Sequence, residues 1–360
     1  MHVDPAARMV RYGLGRRARN RVIYLPEGPP IRHLITDIKA DGLTMLNSQR
    51  IFVDAVTGYC AKRAIAVDVR ADGWLIVMQR GARQRFAFGY DVGLNSAVAH
   101  RIANDKSAAA EVLSISGIAC VPHALFLSPE MNQYIRARGS WEAMLGLLSE
   151  NPQGIVVKPN EGTSGKSVFR VTSKPALELA VKRIFSSHMG LAISPYLDIE
   201  DEVRVVLIDA APLVVYSKSR PAVEGDGRHS LLELALEATS AGRRSTVLAG
   251  MMAELDKAEL DEVPPPGQRR VLNWRHNLDS GAQPVLLPQG EIRDACVQLA
   301  VKAAQAIDIR FASIDVVRVG GEWQVLEINS GVMMEALSKL HPELVYAAYD
   351  AALDKVFADA

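Results

Sequence analysis

The chain has 360 residues, enough for two or three domains and a sizeable buried core. Its 41 Lys and Arg balance 41 Asp and Glu, which gives no support for a nucleic-acid partner or a membrane surface. At 49% hydrophobic and 23% charged the composition is that of an ordinary globular protein. Cys60, Cys120 and Cys296 are scattered without metal-type spacing, which argues against a disulfide scaffold and fits a reducing compartment. The N-terminus has arginines (Arg16, Arg17, Arg19, Arg21) but no signal-type apolar core, and no run of about 20 apolar residues occurs. A cytoplasmic location is the expectation.

Val22 to Leu25 reads as a strand. Ser48 to Arg63 has helical spacing, and Ala64 to Val69 and Trp74 to Met78 read as strands around the turn Ala71-Asp72-Gly73. From Ser96 the pattern changes. Asn104-Asp105-Lys106 leads a helix up to Ser114, stopped before Gly117. A helix over Trp141 to Ser149, a strand over Gly154 to Lys158 and a helix over Pro175 to Ser186 follow. Leu191 to Leu197, Val203 to Ile208 and Pro212 to Ser217 are strand-like. Helices are expected at Ser230 to Ser240 and near Thr246 to Lys257, with a Pro-rich loop at Asp261 to Pro266. Ile292 to Ile307 is amphipathic, with Ile292, Ala295, Cys296, Leu299, Ala300 and Ala303 on its core face. Pro342 to about Phe357 closes the chain as a helix.

Two stretches carry chemistry. Ile314 to Val319 and Trp323 to Ile328, joined by Gly320-Gly321, read as a hairpin. Glu327 and Asn329 are two apart and share a strand face, and Asp315 on the partner strand can come alongside them. Three hard oxygen ligands on one patch suit Mg²⁺ of the kind that holds nucleotide phosphates, although acidic surface hairpins are common. The second stretch runs from the strand Ile155 to Lys158 through Gly162-Thr163-Ser164-Gly165 into a further strand. Small residues let backbone N–H groups approach a polyphosphate, and Lys158 supplies fixed positive charge. The loop has neither the P-loop spacing nor the Rossmann fingerprint.

Taken together, these segments resemble the ATP-grasp superfamily over about Ser96 to Ala348. The resemblance rests on Asn104-Asp105-Lys106 with Gly117 to Pro122, on Val156 to Pro159 with its Gly-Ser loop, on Tyr196-Leu197 through Glu202 to Arg204, and on Asp315, Glu327 and Asn329. Within that superfamily, Arg220-Pro221-Ala222, Gly225-Asp226-Gly227-Arg228-His229 to Leu234, and Asn277 to Gly281 are similar to the ligase domains of cyanophycin synthetase and bifunctional glutathione synthetase. The resemblance implies an α+β (α/β) fold, with two α+β subdomains clamping ATP behind a small α/β N-terminal domain. The expected bounds are 1–95 for that domain, 96–190 for the central subdomain and 191–360 for the metal-bearing one. A stand-alone ligase is expected, not a polymer synthetase.

By the same resemblance, Lys106 and Lys158 hold the phosphates, with Gly162, Thr163, Ser164 and Gly165 covering them. Tyr196 and Leu197 form the adenine hinge, where the family's usual Glu aligns with Ser194, and Glu202 binds the ribose. Asp315, Glu327 and Asn329 hold two Mg²⁺ ions, with Mn²⁺ an acceptable substitute, and Arg220 neutralises charge at the reacting phosphate. The reaction implied joins an amino-acid-like carboxylate to an amine through an acylphosphate, releasing ADP and phosphate. Such an enzyme takes small-molecule substrates, with no nucleic acid and no membrane, and a homodimer is a family expectation. A ligase acting on a protein or peptide terminus and a non-catalytic nucleotide-binding protein are the alternatives. His229 reads as a turn or capping residue, Trp141 and Trp274 as packing residues. Arg275 and His276, in the loop before Asn277, are candidates for the acceptor site or solvated loop residues. Glu335, close in sequence to the metal end, is a candidate to bind an amine, with Met333 and Met334 beside it read as core.

Overall fold

The structure is a computed structural model that describes residues 50–134, 140–162 and 167–358, without the side chains of 241 and 242. Every described residue belongs to one compact unit, Ser48–Ala360. The strand expected at Val22 to Leu25 and the arginine cluster at 16–21 lie outside the described residues.

Among the described residues fourteen strands form four sheets, and every strand pair is antiparallel. With helices packed on the sheets, this is an α+β fold. The first sheet holds β1 (Ala66–Arg70), β2 (Leu75–Arg80) and β3 (Arg83–Phe88). It lies beside the helices Ile51–Lys62 and Pro342–Ala358. Residues 51–94 were read from sequence with a separate N-terminal domain. They share one apolar cluster with the closing helix and with Val206, Val214, Tyr216 and Phe311 of the metal-bearing part.

The second sheet has the order β4 (Ala124–Leu127), β7 (Gly190–Pro195), β5 (Ile155–Pro159), β6 (Phe169–Val171). Its inner face buries Ile155, Val157, Val171, Leu191 and Ile193 against Leu177, Ala180 and Ile184 of the helix Lys174–Phe185. Ser173 caps that helix through Ala176 N, and Pro175 sits in its first turn. The period of two leaves Val156, Lys158 and their neighbour Ser194 on the opposite face.

The third sheet runs β12 (Gln283–Leu286), β9 (Ala211–Ser219), β8 (Asp201–Ile208), β13 (Phe311–Val319), β14 (Glu322–Asn329). Val203, Val205, Leu207, Ala312, Ile314 and Val316 bury one face under the helix Glu291–Ala306. That helix contributes Cys296, Ala300 and Ala303 as expected, and Ala304 besides, but Ile292 is exposed. It sits in the first turn of the helix. A small fourth sheet, β10 (Ala222–Glu224) with β11 (Arg269–Val271), carries its own cluster around Leu231 and Met251.

Residues 119–127 join the two large sheets. Val121 N donates to Val325 O and Val325 N to Ala119 O, which extends the β14 edge. A few residues later β4 pairs with β7. Two α+β subdomains therefore face each other across a cleft, as the ATP-grasp resemblance implied.

Gly154 sets the entry to β5. Its φ is +98°, and a Cβ there would lie 2.6 Å from Val171 O. Gly154→Ala is expected to lower the melting temperature, costing about 1–3 kcal/mol by steric displacement of β6. Thermal unfolding of the variant against wild type measures it.

Candidate functional site

A cavity of about 530 Å³ opens in the cleft, within the size range of small-molecule sites. Its floor is the second face of the five-stranded sheet. On β8 the residues of that face are Glu202, Arg204, Val206 and Ile208, with Lys218 and Tyr216 beside them on β9. At one end the face is apolar and packs into the core, while at the other it is charged. Glu202, Arg204, Lys218, Glu327 and Asn329 line the cavity there.

A bulge aims the key carboxylate. Asp315 pairs with Glu327, but Val316 pairs with Val325, so Leu326 is the extra residue on β14. Val325 and Ile328 both reach the core, while Leu326, Glu327 and Asn329 all line the cavity. The carboxylate and the carboxamide touch, with Asn329 Nδ2 donating to Glu327 Oε1 at 3.3 Å.

Behind this edge lies a buried charge network. Asp315 is 0% exposed. Arg204 donates to it as a fork, Nε to Oδ1 and Nη2 to Oδ2, each at 2.7 Å. Lys218 Nζ donates to Asp315 Oδ2 at 2.8 Å and to Glu202 Oε1 at 2.5 Å. Burial alone would push the Asp315 carboxyl up, but the charges of Arg204 and Lys218 hold it below the usual carboxylate range. Burial and Arg204 would push the Lys218 ammonium down, but Asp315, Glu202 and Glu327 raise it above its ordinary value.

The opposite wall belongs to the four-stranded sheet. Val156, Lys158, Ser194 and Pro195 line it, with Leu197, Ile199 and Val121. Lys158 is 7% exposed. Burial pushes its ammonium down to about 8, with Glu327 countering, Lys106 adding to the depression and Glu202 countering again. Lys106 opens the helix Lys106–Ile115, capped by Asp105 through Ala108 N. Its Nζ donates to Gly162 O at 3.0 Å, tying the helix start to the strand end at 160–162.

The structure thus brings Lys106, Lys158, Gly162, Leu197, Glu202, Glu327 and Asn329 to one cavity. Thr163, Ser164 and Gly165 lie outside the described residues. Tyr196 is not among the lining residues; its ring lies under the Arg170 guanidinium at 3.7 Å and against the cavity residue Trp274 at 5.5 Å. Arg220 follows the end of β9 and is not among the lining residues; Lys218 occupies the cavity from the same strand. Trp274, expected to pack, lines the cavity and donates from Nε1 to Glu254 Oε2 at 2.6 Å.

Arg204 and Lys218 were missed as site residues. Their signal was charged residues alternating with valines in Glu202-Val203-Arg204-Val205-Val206, and a lysine two places past Tyr216 on the same strand face in Val214-Val215-Tyr216-Ser217-Lys218. His276 was set down as a candidate and is buried in the wall, its Nδ1 2.8 Å from Lys218 O.

The donor chemistry fits a hard cation at Glu327 and Asn329. With one Glu327 oxygen taken by Asn329 Nδ2, the other Glu327 oxygen and Asn329 Oδ1 stand as adjacent oxygen ligands. Asp315 is set behind them, and its oxygens accept three bonds from Arg204 and Lys218. Fully buried and not among the lining residues, it supports Arg204 and Lys218 from behind the cavity.

No protein-family model matches the chain, and no curated protein is similar to it in sequence. Among solved structures it is similar to a bifunctional glutathione synthetase from Pasteurella multocida, at 17% identity and a TM-score of 0.46, over 83% of this chain and 44% of that one. It is also similar to a D-alanine–D-alanine ligase from Bacillus anthracis complexed with ATP, at 16% identity and 0.46, over 73% of this chain and 68% of that one. The ATP-grasp ligase PsnB complexed with minimal precursor aligns at 15% identity and 0.40, over 69% of this chain and 58% of that one. The chain thus spans less than half of the glutathione synthetase it matches. At TM-scores below 0.5, what bears on function is the geometry of the cleft.

Asp315→Ala is expected to cost about 3–5 kcal/mol, because it leaves Arg204 and Lys218 buried without a counter-charge. Lys218→Met added to it should recover part of that loss. Since the folded carboxyl sits below its unfolded value of about 3.9, its contribution is complete above that pH. It is lost as pH falls through the folded value. Urea unfolding of wild type and both variants, repeated at acid pH, measures these effects.

Proposed function

We propose that this chain is an ATP-dependent carboxylate–amine ligase. The observation that carries the reading is that Lys106 and Lys158 line the same cavity as Glu327 and Asn329. Fixed cations facing a carboxylate–carboxamide pair make a receptor for a metal-bound polyphosphate.

Each side chain has a role on that reading. The base lies between Val156, Pro195 and Leu197 on one side and Leu326 on the other, all of them cavity residues. Glu202 reaches the ribose hydroxyls from β8. Lys106 and Lys158 hold the phosphates. Glu327 and Asn329 would hold Mg²⁺, which when bound would supply charge neutralisation at the γ-phosphate.

Arg204 and Lys218, fixed by Asp315, orient the substrate carboxylate. A carboxylate oxygen attacks the γ-phosphorus, the bond to the β-phosphate oxygen breaks, and ADP leaves. The amine nitrogen then attacks the acyl carbon, loses a proton, and phosphate departs. Buried walls keep water from the acylphosphate. The cationic role expected of Arg220 falls to Arg204 and Lys218 because those two reach the cavity. The site is built from positioned charge, and positioning and electrostatics supply most of the rate in such transfers.

Purified protein with ATP and Mg²⁺, screened against pairs of amino acids, is expected to release phosphate with at least one pair. Glu327→Gln should lower that turnover roughly 10²-fold while the fold, followed by circular dichroism, is unchanged. Equal turnover in the variant contradicts the assignment of the metal, and no turnover with any pair contradicts the ligase.

A further inference from the structure

Glu335 opens the short helix Glu335–Ser338 just past Asn329 and lines the same cavity as Glu327 and Asn329. The Tyr90 hydroxyl donates to its Oε1. Burial, and after it the hydrogen bond to Glu335, pushes the Tyr90 phenol up to about 12. The hydroxyl therefore keeps its proton at neutral pH, and its single hydrogen is spent on Oε1. Oε2 is buried and accepts no hydrogen bond among the described residues. A carboxylate oxygen shielded from water without a donor is costly, so the site calls for a donor from outside the chain.

The surroundings hold Glu335 in that state. Tyr90 packs on Phe52 at 5.5 Å between ring centroids, with the Arg50 guanidinium 4.4 Å from its centroid. A Cβ on Gly331 would already be 3.6 Å from Tyr90 Cβ, so the ring lies close along the backbone that leads to Glu335.

The other acids of the cavity are differently placed. Glu202 is paired with Lys218, Glu327 lies against Asn329, and Asp279 is exposed. On the cationic side, Arg204 and Lys218 share the cavity with His276 and with Arg275, which pairs with Glu254. One cavity thus offers cations for a carboxylate and a single shielded carboxylate oxygen that lacks a donor. An α-ammonium carboxylate carries the complementary pair of charges.

We propose that Glu335 receives the ammonium group of an amino-acid substrate, so that the site takes acids bearing a free primary ammonium and rejects their N-blocked forms. The inference rests on the ligase reading above. An ammonium brings three N–H donors, and its charge-assisted bond to Oε2 would be among the stronger kinds of hydrogen bond.

The test is thermal unfolding of the full chain in magnesium and a non-hydrolysable ATP analogue. The twenty common amino acids are added in turn, each beside its N-acetyl form. Some free amino acid is expected to raise the melting temperature further, and its N-acetyl form is not. Glu335→Gln should keep the shift given by the nucleotide, which also shows that it folds, and should bind that amino acid at least tenfold more weakly. The proposal is overturned if N-acetyl forms stabilise as well as free ones, if Glu335→Gln binds as tightly as wild type, or if no free amino acid adds a shift. Absence of a shift from the nucleotide itself overturns the ligase reading and this inference with it.

Discussion

The site depends on one buried carboxylate. Asp315 lies on β13 between β8 and β14, fully shielded from solvent, with Arg204 forked onto it and Lys218 beside it. Two cations could not stand in that interior alone. Each would bear several kcal/mol of desolvation that only a matched partner offsets. The pairing fixes the direction of three side chains on three strands, and Lys218 extends it to Glu202. The charged end of the sheet face is therefore rigid, and the cavity inherits its floor from that rigidity.

From this floor the functional arrangement follows by simple periodicities. Alternation along β8 and β9 sends charged residues to the cleft and valines to the helix beneath. The bulge at Leu326 adds one residue, so that Glu327 and Asn329 face the cleft while Ile328 stays in the core. Across the cleft, β5 uses the same alternation to bury Val157 and present Val156 and Lys158. The connection at 119–127 belongs to both sheets and sets the distance between the two walls.

Much of this was legible in the sequence, for local reasons. The hairpin announced itself through Gly320-Gly321 between two strand-like runs, and Pro175 marked a helix start. Lys158 and the Glu327–Asn329 pair followed from position along strands, and Lys106 from the family resemblance alone.

What escaped notice depends on contacts far apart in the chain. β3 is rich in arginine and does not look like a strand, and the helix Ala97–Asn104 was not distinguished from the segment after it. Asp315 read as an open ligand because its partners, Arg204 and Lys218, come from strands about a hundred residues away. Arg220 read as a cavity residue because the end of β9 at Ser219 cannot be placed without its neighbours. The core shared by residues 51–94 and the closing helix was hidden for the same reason, since it joins the two ends of the described chain.

The central claim is that the Lys158 ammonium faces the phosphates of a bound nucleotide across from Glu327. Calorimetric titration of ATP with Mg²⁺ at pH 7 and pH 9 tests it directly. With the free ammonium titrating at about 8, the charged form prevails at the lower pH and the neutral form at the higher. One ATP should bind per chain, about tenfold more weakly at pH 9, and Lys158→Met should lose both the affinity and its pH dependence. Failure to bind ATP at pH 7, or the same affinity for wild type and Lys158→Met at both pH values, would contradict the account.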